Sequence, residues 1–285
     1  MGNIMLELDE RYGEGSFWYL NPKNYCRPMY KKPKEEREEY GIGMAGLEET
    51  AIEGMKSIID TKDEDPEGFK SEMEGLSATM IEMAPGQVIP LEDAKKVVDI
   101  AQPLVKIDCI CRRMTRATLE EEDCRSCLGI GLGMFRWEMV PERYKGGAEF
   151  ISPEEAKKFL EFWNKKGMVH TIMTFGKTIE GAPYIGGVCN CDYPDCIDIR
   201  FRSDYGLKSL MKGEYVAKVD YDKCSGCGTC VKRCQFGAIK KEVTTNKANI
   251  DMFSCFGCGL CKETCPESAI ELVERNSFPA LRDEW

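Results

Sequence analysis

One cysteine pattern occurs twice in the last quarter of the chain. Cys224, Cys227, Cys230 and Cys234 recur as Cys255, Cys258, Cys261 and Cys265, each displaced by 31 positions. The match extends outward from the cysteines, pairing Asp220 with Asp251, Gly226 with Gly257, Gly228 with Gly259, Ala238 with Ala269 and Ile239 with Ile270. Two copies of one short supersecondary unit therefore lie side by side. Each copy reads C-x2-C-x2-C-x3-C. Steps of x2 let three thiolates wrap three corners of one polynuclear centre, and the small residues between them let backbone N–H groups approach the sulfurs. A pair of zinc sites is the rival for these eight thiols. Zinc sites usually set two C-x2-C knuckles across a longer spacer, which this pattern lacks.

The rest of the chain bears on how so many thiols are to be read. The protein has 285 residues, 16 of them cysteine, with a net charge of −10. A chain of this length accommodates about two domains at ~100–200 residues each. Disulfide scaffolds are short and enter the secretory route, but the N-terminus has neither a basic nor an apolar leader segment. No run approaches the ~18 apolar residues of a membrane span. The expectation is a cytoplasmic protein of an anaerobe, whose thiols serve metal and are spared oxidants. Net negative charge argues against nucleic acid, which needs a basic face. It suits docking onto a basic patch of a redox partner.

Residues 216–274 resemble the bacterial two-[4Fe–4S] ferredoxin family, with all eight cysteines in place. That resemblance implies a pseudo-twofold module in which each half is a strand, a cluster loop and a helix, and a role in moving single electrons. Carried over by position, it implies that one cluster takes Cys224, Cys227, Cys230 and Cys265. The other takes Cys255, Cys258, Cys261 and Cys234. The family usually has proline after the fourth cysteine, as at Pro266, but the first repeat has Gln235. Its retained N–H is expected to reach cluster sulfur and raise that cluster's potential, unless the position is exposed and neutral.

A second group of cysteines lies upstream: Cys109-x-Cys111, Cys124-x2-Cys127 and Cys189-x-Cys191-x4-Cys196. Seven thiols are too many for one four-ligand site and one short for two. His170, the only histidine, is a candidate eighth ligand or proton carrier, although a lone histidine on a strand is more often a core residue. The stretches IDCICRR, CRSCLG, KKGMVH and GVCNCDYPDC resemble the N-terminal domain of multi-cluster 4Fe–4S dicluster proteins of anaerobic bacteria and archaea. Asp192 stands where that cysteine-rich run often has another cysteine. Three readings compete for this group: a further [4Fe–4S] cluster, structural zinc, or free thiols and disulfides. Arg112 and Arg113 beside Cys111 suit an anionic substrate, a cluster sulfur or a plain charged surface.

The expected architecture is α+β: a cysteine-rich metal-binding domain over 86–215, a ferredoxin-like (βαβ)2 domain over 216–274 and a tail over 275–285. Residues 1–85 form an arm or helical region, with a partner-wrapping role as the sharper reading. Cys26 sits there among Phe17, Trp18, Tyr19, Tyr25 and Tyr30 and reads as a buried thiol, and Lys31 to Glu39 as a solvated charge run. A helix is predicted over 47–59, a loop over 62–67, and a helix over 90–101. Ser152-Pro153-Glu154-Glu155 is a capping box opening a helix that runs to about Lys166 and stops at Gly167. A strand is predicted over 168–175. Gly129-x-Gly131-x-Gly133 lacks the sixth-position glycine and the context of a nucleotide loop. Three roles follow: an electron-transfer subunit or partner of a larger oxidoreductase, an enzyme with substrate at a middle-domain cluster, or a ferredoxin with a zinc-stapled docking domain.

Overall fold

A computed structural model describes residues 56–57, 60–83, 86–109, 111–112, 125–131, 149–174 and 185–284. Cys26, Cys124, Arg113, the early aromatics and charge run, and nearly all of the helix expected over 47–59 lie outside these residues. The loop expected over 62–67 is corrected: residues 60–64 are helical and only Asp65 breaks the chain. Pro66 then starts α1 (Pro66–Met83), where the Asp65 carboxylate accepts from Gly68 N at 3.0 Å. Proline at the first helical position and an aspartate cap are ordinary start signals. Phe69 and Met73 of α1 pack on Leu207, Phe201 and Tyr205 of the same chain.

The middle domain is a six-stranded antiparallel sheet. Its elements run β1 (Gly86–Ile89), α2 (Leu91–Ile100), β2 (Leu104–Ile107), β3 (Cys127–Ile130), β4 (Glu149–Ile151), α3 (Pro153–Lys166), β5 (Val169–Thr174), β6 (Ile185–Cys191) and α4 (Ile197–Tyr205). Strand order is β1-β5-β6-β3-β2-β4. The capping box at α3 is complete, with Glu155 N donating to Ser152 Oγ and Ser152 N donating to Glu155 Oε2. Gly167 ends the helix at φ 99°, where a Cβ is strained.

Side chains alternate across a strand, so each face has its own neighbours. Leu104, Leu128, Ile130 and Val188 face Ala94 and Val98 of α2 and Ala156 and Leu160 of α3. Val88, Val169, Cys189 and Cys191 face the other way, into a core shared with Ile199 and Leu210 and with Phe236, Phe256, Cys258 and Leu260 of the C-terminal module.

That module is β7 (Tyr215–Val219), α5 (Thr229–Arg233), β8 (Ile239–Lys241), β9 (Ala248–Ile250), α6 (Leu260–Glu263) and β10 (Ile270–Glu274). β7 pairs with β10 and β8 with β9, both antiparallel, giving two interlocked β-α-β halves. Residues 275–284 are not a loose tail. Arg275 is fully buried and donates to the carbonyls of Gly213, Tyr215 and Cys255, and Leu281 enters the module's core. Among the described residues, no helix is long and apolar enough to cross a membrane.

Candidate metal centres

In each C-terminal loop the cysteines are presented by backbone that only glycine tolerates. Gly226 and Gly257 both have φ +73°, and a Cβ there would stand 2.2 Å from Asn246 O or Tyr215 O. The fourth cysteines cross over. Cys265 joins Cys224, Cys227 and Cys230 around one small cavity. Cys234 lies in the electrostatic field of Cys255, Cys258 and Cys261. A backbone N–H reaches sulfur in each set, Ala217 N to Cys255 Sγ at 3.4 Å and Ala269 N to Cys265 Sγ at 3.3 Å.

The two sets have different surroundings. Cys227 is exposed, with the Thr229 hydroxyl 3.4 Å from its sulfur. Cys255 and Cys261 are buried in the module's own core, as is Cys230 of the first set, while Cys258 packs on the core shared with the middle domain. Burial pushes the Cys258 thiol up to about 12, and that of Cys261 upward too, whereas the Thr229 hydrogen bonds hold Cys227 down.

The middle domain gathers six thiols. Cys127 precedes Leu128 on β3, so it points to the face opposite the α2–α3 core. Cys189 and Cys191, two apart on β6, share that face. Leu128 is registered with Val188, which places Cys127 beside Cys189. Cys109 follows the end of β2, Cys111 lies in a short helical turn, and Cys196 caps α4. Each thiol exchanges side-chain hydrogen bonds with two others, and the sequence of contacts closes: Cys109, Cys111, Cys196, Cys191, Cys189, Cys127 and back to Cys109. Hydrogen bonds from both ring neighbours hold Cys109 and Cys191 below the usual thiol range, and the four between them are raised. The two acidic thiols stand opposite one another in the ring. No carboxylate is among the six, and such all-sulfur donor sets select zinc or iron–sulfur groups. Among the described residues, no three His, Cys, Asp or Glu groups converge as a single ion requires, in this ring or in the C-terminal sets.

His170 lies on the other face. It is registered with Asn190, between the cysteines, and faces α3. Its Nδ1 is 2.6 Å from Asn190 Oδ1 and its Nε2 is 3.3 Å from Asn164 Nδ2. Nδ1–H thus donates and Nε2 accepts, so both nitrogens are occupied by amides. Burial lowers its pKa to about 4, which keeps it neutral.

Arg112 is buried, not presented to solvent. Its Nη2 and Nε donate to Asp192 Oδ1 at 2.6 and 3.2 Å, Met168 Sδ is at 2.9 Å, and the guanidinium lies over the Trp163 ring. Asp192 anchors this arginine under the ring. Asp198, in the first turn of α4, is raised to about 6 by burial and then by the charge of Cys109. The spacing reading did not single it out; an aspartate two residues after a cysteine carries no distinct signal.

Gln235 also departs from expectation. Its side chain reaches across to the middle domain, where Oε1 accepts from Tyr193 N at 2.8 Å and Nε2 donates to the carbonyls of Gly167 and Cys191. No contact between Gln235 N and sulfur is among the hydrogen bonds of the described residues.

Comparison with known proteins bears on the C-terminal module. Residues 217–266 match the model of the 4Fe-4S dicluster domain. A curated ferredoxin of Rickettsia felis (strain ATCC VR-1525 / URRWXCal2) is 35% identical over 52 residues, which is 18% of this chain. The matched segment spans 43% of that ferredoxin, less than half its length. The chain thus carries a 4Fe–4S ferredoxin-type domain suited to iron–sulfur electron transfer.

Proposed function

We propose that the protein is a cytoplasmic electron-transfer subunit, or dedicated partner, of a larger oxidoreductase of an anaerobe. Two [4Fe–4S] clusters are held in the module, one by Cys224, Cys227, Cys230 and Cys265, the other by Cys255, Cys258, Cys261 and Cys234. A third iron–sulfur centre is held in the middle domain by thiols drawn from Cys109, Cys111, Cys127, Cys189, Cys191 and Cys196. His170 is left out of that set. The clusters supply one-electron redox chemistry. The chain's own residues wrap them, exclude water from the second set and leave the first open at Cys227.

One observation carries this reading. The six-thiol ring and the second C-terminal set share one apolar core, through Cys189, Cys191, Cys196, Phe256, Leu260 and Cys258. A free carrier has no use for a second buried thiol site against its cluster; a fixed component with several centres does. Arg112, bound to Asp192, is not available to an anionic substrate at this site, which weighs against the enzyme reading.

A zinc-stapled docking domain is the second reading, and a specific observation favours it. The ring thiols are immediate neighbours of one another, whereas the C-terminal cysteines act on one another through charge. Zinc takes an all-thiolate set, although no three of the described ring thiols converge as they stand. Anaerobic purification with iron, sulfide and zinc counted per chain separates the two. About twelve irons support the third cluster, while about eight irons with stoichiometric zinc refute it. Capture of the native protein from its own cells without oxygen identifies the partner.

A further inference from the structure

We propose that Arg275, supported by Lys212, sets the reduction potential of the cluster held by Cys255, Cys258, Cys261 and Cys234. The two are buried positive charges behind that cluster's loop. They raise its potential and leave the other cluster's nearly unchanged. This rests on the reading that the module holds two [4Fe–4S] clusters, and it concerns how one of them is tuned apart from its twin.

Arg275 is the first residue after β10. Its backbone N donates to Glu214 O at 2.7 Å, and its side chain is fully buried. Nε donates to Gly213 O at 2.8 Å, and Nη2 donates to Tyr215 O at 3.0 Å and to Cys255 O at 2.7 Å. The last of these bonds sets the charge against the backbone of a cluster ligand. All three acceptors are neutral carbonyls. Among the described residues Nη1 is buried with no acceptor, and Glu214 and Glu284 act on the guanidinium only from a distance. Arginine stays charged inside proteins. A buried charge is costly unless it is paired, and a buried donor is costly unless it is bonded. An anionic cluster on the thiolates beside Arg275 answers both demands, because it brings negative charge and sulfur acceptors.

Lys212 adds a second cation to the same loop. It is buried, and its Nζ donates to Phe253 O at 2.7 Å, with Glu284 Oε2 at 3.6 Å offsetting part of its charge. The first half is served differently. Thirty-one positions before Arg275, the displacement of the repeat, stands Thr244, which is exposed and uncharged. A cation on that side, Lys247, makes an exposed bond to Tyr221 O, where water and salt screen its charge. Adding an electron makes a thiolate-bound cluster more negative, and burial alone opposes that. A positive charge in a poorly screening interior favours it. Net charge and hydrogen bonds to sulfur are both levers on cluster potential, and Arg275 supplies them to one cluster of the two.

The test is an EPR-monitored redox titration of the full chain with dithionite, with iron counted per chain. Cys265→Ala, which removes the first cluster, assigns the two midpoints. Arg275→Gln loses the charge and keeps an amide donor for the carbonyls, whereas Arg275→Lys keeps the charge. Expected is a negative shift of the second cluster's midpoint in Arg275→Gln, cut by at least half in Arg275→Lys, with the first cluster unmoved in both. An unmoved second midpoint, equal shifts in the two variants, or equal shifts of both clusters overturns the tuning role. Absence of the second cluster's signal from the natural chain overturns instead the reading that this set holds a cluster. Should Arg275→Gln lose the second cluster's iron, Lys212→Met decides: a negative shift of the second midpoint alone supports the proposal, and an unmoved one refutes it.

Discussion

Replacing Arg112 with Met removes the cation beneath the ring and keeps most of the side chain's bulk. Arg112 is 1% exposed and Asp192 21% exposed. The substitution takes both Arg112 donors away from the Asp192 carboxylate. Breaking a buried pair from one side costs about 3–5 kcal/mol, because the remaining charge is stranded. Asp192 keeps some access to water, so the low end applies, about 3 kcal/mol. For a structured region of this size, each kcal/mol moves the midpoint by about 2–4 °C, so the expected fall in Tm is roughly 6–12 °C. Circular dichroism of the anaerobic, metal-counted protein reads it. Adding Asp192→Asn removes the stranded charge and is expected to recover a large part of the loss. A loss under about 1 kcal/mol, or a double variant as unstable as the two single losses summed, refutes the account of Arg112 as a buried anchor.

Cys265→Ala is expected to abolish the EPR signal of the cluster wrapped by Cys224, Cys227 and Cys230; loss confined to the cluster of Cys255, Cys258 and Cys261 would falsify the crossed arrangement. His170, neutral in the fold with a pKa of about 4 against ~6.5 when unfolded, binds its proton more readily in the unfolded chain. Its contribution is present above pH ~6.5 and is lost as pH falls toward 4, by about 3 kcal/mol in all. Urea unfolding across that range should show the natural protein losing stability relative to His170→Gln as pH falls, and parallel pH profiles of the two would refute this. Gly167→Ala forces a Cβ onto a left-handed residue and to within 2.6 Å of Arg233 Nη1. It is expected to cost about 1–2 kcal/mol in chemical denaturation, and a neutral result would mean that the Arg233 contact yields freely.

What could be read from the sequence was local. The repeat at 224–265 carries its own loop geometry, since x2 spacing and glycines such as Gly226 and Gly257 act within a few residues. The helix from Pro153 to Lys166 was legible because its capping box and its terminal glycine are adjacent in the chain. The Cys189-x-Cys191 spacing was visible, but only β6 showed that the two thiols share a face. The tertiary structure decided everything that depends on partners far apart. It closed six cysteines, from Cys109 to Cys196, into a ring, because the register of β3 against β6 sets Cys127 beside Cys189. It turned His170 to the opposite face, since one step along β5 reverses a side chain. It buried Arg112 on Asp192, 80 positions away, and drew Arg275 and Leu281 into the C-terminal module. At Gln235 the sequence marked a departure from proline. Only the packing of two domains showed that its side chain, rather than its backbone N–H, makes the contact, because the carbonyls and amide it meets lie 42 to 68 residues away.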